Sequence, residues 1–233
     1  VSMQPDNKII VSGSISNGTN TDIAVARLNA NGTLDTTFNI DGIFTYNSST
    51  IDNGFSHKIQ SDGKIVIVGD TGATTGTKNF IIVRVNSNGT LDTSFNSTGI
   101  SITDFASTSD FGRELQILSD NSILVVGRSA GNVALAKYTS TGALDVSFNA
   151  TGKKTFVIPM DFNTSSGLDI LPKIKILATG SIIISFSSTT DFQVIKLDSS
   201  GNYDAAFATN GVFTSNSETD LSTFLQIKSN GNI

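Results

Sequence analysis

Short apolar, β-branched runs recur along the chain and are separated by polar segments rich in Gly, Asn, Ser and Asp. One stretch contains the runs GFSHKIQ (54–60), KIVIVGD (64–70), FIIVRVN (80–86) and GISITDF (99–105). Each run has the length of a strand, and no segment keeps the 3.6-residue period of a helix over a helical length. We therefore predict an all-β protein, with a two-residue hairpin signal at Asp62 and Gly63.

The polar segments contain a phrase that repeats along the chain. It occurs as NGTLDTTF (31–38), NGTLDTSF (88–95), TGALDVSF (141–148) and SGNYDAAF (200–207), and its aspartates, Asp35, Asp92, Asp145 and Asp204, are 57, 53 and 59 residues apart. A second phrase keeps the same period, as PDNKIIVSG (5–13), SDGKIVIVG (61–69), SDNSILVVG (119–127) and, more loosely, ATGSIIISF (178–186). A period of this size indicates tandem structural repeats. The chain holds four units, and KSNGNI (228–233) begins the second phrase a fifth time.

The two middle runs of a unit, such as Ile65–Val68 and Phe80–Val83, are continuously apolar, so both faces of their sheet must be covered. With no helices available, the neighbouring four-stranded units must provide that cover, which predicts a β-propeller. A β-helix usually has a shorter coil, and an immunoglobulin-type domain needs about 100 residues and seven strands. The predicted blades are 1–48, 49–107, 108–160 and 161–217, with 218–233 either starting a fifth blade or overlapping to close a ring. We expect the chain to be one piece of a longer array, because an open stack leaves a bare apolar end.

Each position of the repeated phrase has a structural role available to it. The glycines can supply a positive φ, and the aspartates can accept backbone N–H groups two or three residues further on. The two apolar residues of each phrase are four positions apart, so we expect them to project to the same side and to pack against a blade edge. The residues concerned are Gly32, Gly89, Gly142 and Gly201; Asp35, Asp92, Asp145 and Asp204; and the pairs Leu34 and Phe38, Leu91 and Phe95, Leu144 and Phe148, and Tyr203 and Phe207.

Metal binding is the alternative interpretation of the phrase. The spacing of Asn29, Asn31, Gly32 and Asp35 faintly resembles a calcium loop. Calcium prefers several carboxylates, whereas these loops offer one each, apart from the fourth, which has Asp198 and Asp204. We therefore expect no metal and no cofactor. Calcium binding remains an alternative only for the fourth loop.

Composition removes several function classes. The 233 residues carry a net charge of -5 with scattered Lys and Arg, so nucleic acid is not an expected partner. There is no cysteine, and His57 is the sole histidine, so a catalytic triad could form only around that residue. We predict no enzymatic activity. No apolar run is long enough to span a bilayer, and the opening VSMQPDNK lacks the parts of a signal peptide, so an exported protein would contain this stretch as a mature or internal piece.

The phrases SDGKIVIVG and FIIVRVNSNGTLDTSFNSTG resemble the delta-60 repeat of bacterial proteins, a propeller-like blade found in tandem arrays. The resemblance covers essentially the whole chain and weakens in the fourth unit. It implies a secreted or surface-attached protein of a Gram-negative bacterium, without an established catalytic motif. The composition is similar to that of Bacteroidota surface proteins, for which export by the type IX system and roles in adhesion are common.

Function is expected in the parts that do not repeat. In a meander of four strands, the two repeated phrases share one rim, and the variable loops share the other. We predict that this variable rim contacts a protein partner in a scaffold or adhesion domain, while other repeats of the same polypeptide are further partners. The alternative is a glycan-binding, lectin-like propeller, in which calcium could assist the binding of the glycan. The predicted contact residues are Asn20, Asp22, Asp70, Lys78, Asn79, Arg128, Asn132 and Asp191.

Overall fold

The computed structural model describes residues 1–73, 77–105, 109–159, 172–187 and 191–215. In this part of the chain the fold is all-β, as predicted, and consists of four separate four-stranded sheets. Sheet one contains β1 (Ser2–Met3), β2 (Ile9–Ser16), β3 (Thr21–Leu28) and β4 (Ile43–Tyr46), and sheet two contains β5 (Ile51–Ile59), β6 (Ile65–Gly72), β7 (Lys78–Val85) and β8 (Ile100–Thr103). Sheet three contains β9 (Asp110–Ile117), β10 (Ile123–Ser129), β11 (Asn132–Tyr138) and β12 (Lys153–Pro159), and sheet four contains β13 (Lys173–Ile176), β14 (Ile182–Ser187), β15 (Phe192–Leu197) and β16 (Val212–Thr214). No helix of the described residues is long and apolar enough to cross a lipid bilayer.

Every sheet is an antiparallel meander in chain order, and we call each sheet a blade. The predicted limit at residue 48 falls between β4 and β5. The limits at 107, 160 and 217, and the start of a fifth unit at 218–233, lie outside the described residues.

The blades stack face to face, and three apolar clusters fill the spaces between them. Ile65 and Ile67 of β6 face blade 1, whereas Val66 and Val68 of the same strand face blade 3. A third cluster joins blades 3 and 4 and includes Leu124 and Ile184. Because both faces of a middle blade are covered, β6 is buried along almost its whole length, which is why its sequence does not alternate.

Glycines allow neighbouring blades to approach closely near the first strand. A Cβ on Gly54 of blade 2 would lie 2.8 Å from the carbonyl oxygen of Gly13 in blade 1. A Cβ on Gly112 of blade 3 would lie 2.9 Å from the carbonyl oxygen of Gly69 in blade 2. The glycine in the first strand of blades 2 and 3 therefore leaves room for the preceding blade.

One predicted turn differs from the structure. The hairpin between β5 and β6 has three residues, Ser61 to Gly63, and is closed by the pair Gln60 and Lys64, with the Gln60 N–H donating to the Lys64 carbonyl at 2.8 Å. Only Gly63 has a positive φ, of 82°. A three-residue turn that ends in a left-handed glycine fits the twist of the two strands as well as the predicted two-residue turn.

Candidate functional site

The repeated phrase forms a turn that is stabilised by its own aspartate. In blade 1 the Asp35 carboxylate accepts the backbone N–H of Thr37 at 3.1 Å and the Thr37 hydroxyl at 2.7 Å. Asp92 makes the same pair of contacts with Ser94, at 3.2 and 2.6 Å. Asp145 and Asp204 likewise accept the N–H two residues further on. The phrase glycines Gly32, Gly89, Gly142 and Gly201 have φ values between 84° and 95°.

Each of these aspartates also pairs with a cation that lies eight residues before it on the third strand of its blade. Arg27 Nε donates to Asp35 at 2.7 Å, and Arg84 Nε donates to Asp92 at 2.7 Å. In the other two blades the cation is a lysine, at 2.9 Å for Lys137 with Asp145 and 2.8 Å for Lys196 with Asp204. The four cations were missed as site residues, although their constant spacing of eight from the aspartate is visible in the sequence.

The same turn contacts the turn of the next blade. Arg84 Nη1 donates to the carbonyl of Ser140 at 2.7 Å, and the Asn96 N–H donates to the carbonyl of Thr141 at 2.7 Å. The Phe95 ring lies under the Arg84 guanidinium, 4.5 Å from its centre, and against Gly142, where a Cβ would lie 2.8 Å from the ring. Blade 1 makes the equivalent contacts to blade 2. We call this set of contacts the clasp, formed in blade 1 by Arg27, Asp35, Phe38 and Asn39 with Ser87, Asn88 and Gly89.

One expectation about the phrase is wrong, because its two apolar residues do not share a side. Leu91 packs in the cluster between blades 1 and 2, whereas Phe95 packs in the cluster between blades 2 and 3. Leu91 is fixed by a β-bridge to Val85 at the end of the third strand, while Phe95 lies at the far end of the turn. Leu34 makes the same bridge with Leu28 but is 42% exposed, since no described blade covers that side of blade 1. Leu144 packs in the cluster of Phe95, and Tyr203 lies 5.9 Å from Phe156 of blade 3. Phe38 and Phe148 are buried between blades, whereas Phe207 is only half-buried.

The electrostatics of the turns favour ionised aspartates. Hydrogen bonds from Lys8 and Thr37 hold the pKa of the Asp35 carboxyl well below its usual range. Burial raises the pKa of Asp92, but hydrogen bonds from Ser94 and Arg84 outweigh that effect and lower it. These carboxylates are therefore charged at neutral pH and already paired within the protein.

The fourth loop, where calcium was left open, uses its carboxylates internally. Asp198 accepts the N–H groups of Ser200 and Asn202, each at 2.9 Å, and Asp204 is paired with Lys196. In the described part of the chain, no three His, Cys, Asp or Glu side chains come together as metal ligands would.

The variable rim brings together several of the predicted contact residues. Asp70 accepts hydrogen bonds from Lys78 at 2.7 Å and from Asn53 at 2.9 Å, and Thr21 of blade 1 donates to Asn53 at 3.1 Å. This chain of side chains crosses from blade 1 to blade 2. Asn79 lies beside Lys78 in β7, and its amide oxygen is buried and accepts no hydrogen bond from the described residues.

The rim continues into blade 3 through Phe111. Its ring lies 4.1 Å from the Arg128 guanidinium, 5.3 Å from the Arg113 guanidinium and 5.8 Å from Lys78 Nζ. Arg113 also stacks at 3.9 Å on Phe55 of blade 2, which is 41% exposed. Sequence analysis did not single out Phe55, Phe111 or Arg113, because they lie in the first strands of their blades and not in the variable loops.

Other predicted rim residues make contacts within their own loops. Asn17 donates to both Asn20 and Asp22, which ties the β2–β3 loop to itself. Asn132 begins β11 and donates to the carbonyl of Ala130 at 3.2 Å. Asp191 lies in blade 4 next to β15.

His57 contacts a serine across the junction between blades 1 and 2. Its Nδ1 lies 2.6 Å from Ser12 Oγ, while Nε2 is buried without a hydrogen-bond partner among the described residues. Burial lowers the pKa of His57 to about 4, and the charges of the N-terminus and Lys58 act in the same direction. A catalytic triad needs an acid that orients the histidine, and the described residues place none at Nε2.

Two further aspartates hold the entry to a blade. Asp52 at the start of β5 accepts the Ser48 N–H at 2.7 Å, and Asp110 at the start of β9 accepts the Phe105 N–H at 2.7 Å. Burial raises the pKa of Asp110. The sequence contains a signal for these two residues. In each blade the aspartate lies seven residues before the last residue of the first strand, which is Ile59 in blade 2 and Ile117 in blade 3.

A comparison with protein families agrees with this architecture. A family model described as a domain of unknown function (DUF5122) beta-propeller matches residues 4–38, 60–95 and 118–148, which are parts of the first three repeats. No curated protein matches the chain.

A solved protein of unknown function from Bacteroides caccae is 9% identical, with 81% of this chain and 75% of that chain covered and a TM-score of 0.38. A GH43_1 enzyme from Xanthomonas citri, solved with xylotriose, is 11% identical, with 82% and 66% covered and a TM-score of 0.41. Both scores are below 0.5, so neither likeness bears on function. The chain is thus an all-β protein of propeller blades, and its repeats are similar to a β-propeller family.

Proposed function

We propose that the chain is a non-enzymatic repeat module of a secreted or cell-surface bacterial protein. It acts as a scaffold or adhesion domain and contacts a protein partner through the variable rim. We also propose that other repeats of the same polypeptide are partners of this module and stack on its outer blades.

The observation that carries this proposal is that the residues of the repeated phrase form the clasp between neighbouring blades. The cation, the aspartate and the phenylalanine of one blade are taken up by contacts within the turn and with the next blade. A group that holds blades together at every junction has little freedom to recognise a ligand. The residues that differ between repeats, such as Lys78, Phe111 and Arg128, lie together on the opposite rim. Loops on a rigid scaffold are the usual place for binding residues.

The outer face of blade 1 supports the stacking of another repeat. Its side chains Ile9, Val11 and Leu28 are half-buried, whereas Ile65, Ile67 and Val85 at the equivalent positions of blade 2 are at most 1% exposed because blade 1 covers them. A Cβ on Gly32 would meet no atom within 4 Å, whereas the equivalent Gly89 lies against the Phe38 ring. Blade 1 therefore carries the receiving half of a clasp that a further repeat of this type would fill.

Bead adhesion tests the proposed role of the rim. Beads coated with the protein are applied to bacterial cells and to surfaces coated with collagen or fibronectin. We expect retention on at least one surface, and its loss when Asn20, Arg128 and Asn132 are replaced together by Ala. The control replaces Thr139 and Thr179, which lie on the repeated rim, by Ala. Equal retention of the two folded variants, or loss only in the control, would contradict the proposal.

A further inference from the structure

A cleft of about 350 Å³ lies between blades 2 and 3. It is lined by Phe105, Asn149, Thr151, Lys153, Lys154 and Thr155. Phe105 follows the last strand of blade 2, and the other residues belong to the last strand of blade 3 and the turn that precedes it. Its volume is at the lower end of the range of small-molecule sites.

The two residues that give the cleft its chemistry interrupt the repeat. Lys153 follows Gly152 at the start of β12, where the other blades have Ile43, Ile100 and Val212 after the equivalent glycine. Phe105 takes the place of Ser48, since each donates its N–H to the aspartate that begins the next blade. Blades 1 and 2 stack without this lysine and this ring, so the repeat itself does not require either residue. Phe105 also packs against the apolar cluster between blades 2 and 3.

Lys153 brings a positive charge to the cleft, and this charge also acts on the Asp110 carboxylate at the start of β9. Its Nζ donates to the Asp104 carbonyl at 2.8 Å and lies 5.6 Å from the Phe105 ring centre. Among the described residues, no carboxylate forms an ion pair with it. An ammonium group has three N–H donors, so two remain for a ligand. A carboxylate is the natural partner, because a charge-assisted hydrogen bond is stronger than a neutral one.

Phe105 supplies a fixed apolar surface beside that charge. Its ring packs at 4.8 Å on the buried Phe80, which holds it in place, and it remains half-buried. The Thr155 side chain is exposed at the cleft and offers a hydroxyl. A ligand that satisfies all three groups needs a carboxylate, an apolar C–H face and hydroxyl groups.

We propose that this cleft binds a carboxylated sugar residue of an acidic polysaccharide. The carboxylate pairs with Lys153, the C–H face of the pyranose ring packs on Phe105, and Thr155 hydrogen-bonds a ring hydroxyl. A simple anion would use the lysine and leave the ring unused, and a neutral sugar would use the ring without forming a charge-assisted hydrogen bond with Lys153. The chain carries a net charge of -5, so we expect a polyanion to bind where lysines are grouped, as Lys153 and Lys154 are along this cleft.

Calorimetric titration with trigalacturonic acid tests the proposal, and a neutral galactose trisaccharide is the comparison ligand. We expect the acidic trisaccharide to bind at least tenfold more tightly than the neutral one, with an affinity that falls as salt is added. Lys153→Gln and Phe105→Leu should each weaken binding about tenfold. Lys175→Gln, which removes the same charge from β13, should leave it unchanged, and circular dichroism should be the same for all variants.

Several results would overturn the proposal. These are no heat of binding at millimolar sugar, equal binding of the neutral trisaccharide, or equal affinity of Lys153→Gln and the unaltered protein. Citrate competing as well as the trisaccharide would also overturn it, because the ring would then contribute nothing. Loss of sugar binding in the variant of Asn20, Arg128 and Asn132, with none in Lys153→Gln, would assign the ligand to the variable rim instead. The bead experiment does not depend on Lys153, so the two proposals fail separately.

Discussion

An arginine links blades 2 and 3, whereas blade 3 has a lysine at the same position. Arg84 donates from Nε to Asp92 in its own turn and from Nη1 to Ser140 in the next blade. Lys137 pairs with Asp145 at 2.9 Å, and the backbone bond across its junction, from the Asn149 N–H to the Ser200 carbonyl, is 3.2 Å against 2.7 Å for Asn96. A guanidinium is a planar fork with five donors, so it can hold two partners at once, which a single ammonium does less well. The difference shows that the aspartate fixes the turn, and that the arginine adds the link between blades.

The largest effect is expected from removing the ring of a complete clasp. Phe95 is fully buried between blades, and Phe95→Ala should lower the free energy of unfolding by about 3–5 kcal/mol. Phe207→Ala removes the half-buried ring of blade 4 and should cost less than half as much. Urea denaturation of the two variants measures the difference. Equal costs would mean that the ring is not used between blades.

A glycine pair isolates the contact between blades from backbone strain. Gly89 and Gly32 have φ values of 89° and 84°, so alanine is similarly strained at both. A Cβ on Gly89 would lie 2.5 Å from the Asn39 nitrogen, whereas on Gly32 it would meet nothing within 4 Å. We expect Gly89→Ala to destabilise the protein by about 1–3 kcal/mol more than Gly32→Ala. Thermal or urea unfolding of both variants gives the comparison, and no excess at Gly89 would refute it.

Exchanging the two cations tests the junctions directly. Arg84→Lys keeps the pair with Asp92 and loses the bond to Ser140, so it should cost about 1–2 kcal/mol. Lys137→Arg should add the missing link and stabilise the protein by about 0.5–1 kcal/mol. Chemical denaturation of the two variants gives both values. The comparison between junctions fails if Lys137→Arg is destabilising while Arg84→Lys is neutral.

The last effect depends on pH and concerns His57 at the junction of blades 1 and 2. Its pKa is about 4 in the folded protein against an ordinary 6.5, so the unfolded chain binds the proton more readily. The stability that neutral His57 provides is complete above about pH 6.5 and is lost as the pH falls towards 4. His57→Leu places at this position the residue found as Leu115 in blade 3, and it should remove that part of the pH dependence. Urea midpoints between pH 7 and 4 measure it, and parallel curves for the two proteins would disprove it.

The strands and their meander could be predicted because the signals are local. Continuous apolar runs such as Ile65–Val68 indicate a sheet covered on both faces, and the structure confirms this. The hydrogen bonds within the turn could also be predicted. An aspartate that accepts the N–H two residues further on makes a contact that depends only on residues close in sequence.

The contacts between blades could not be predicted in the same way. Arg84 and Ser140 are 56 residues apart in sequence, and only the stacking of blades brings them together. The error over Leu91 and Phe95 has the same origin, because a spacing of four predicts a shared side only if the backbone makes one helical turn. Here the leucine is held by a β-bridge and faces the preceding blade. The cleft at Phe105 and Lys153 was missed because neither residue carries a motif.

Native-state hydrogen exchange by NMR tests most directly whether the repeated turns hold the blades together. The decisive signals are the amides of Asn39, Asn96 and Asn149, which donate to the next blade at 2.8, 2.7 and 3.2 Å. We predict that Asn39 and Asn96 exchange as slowly as amides of β7, that Asn149 exchanges faster, and that a calcium chelator changes none of them. Exchange of Asn39 and Asn96 at the rate of an exposed loop amide, or protection that appears only with calcium, would contradict the account.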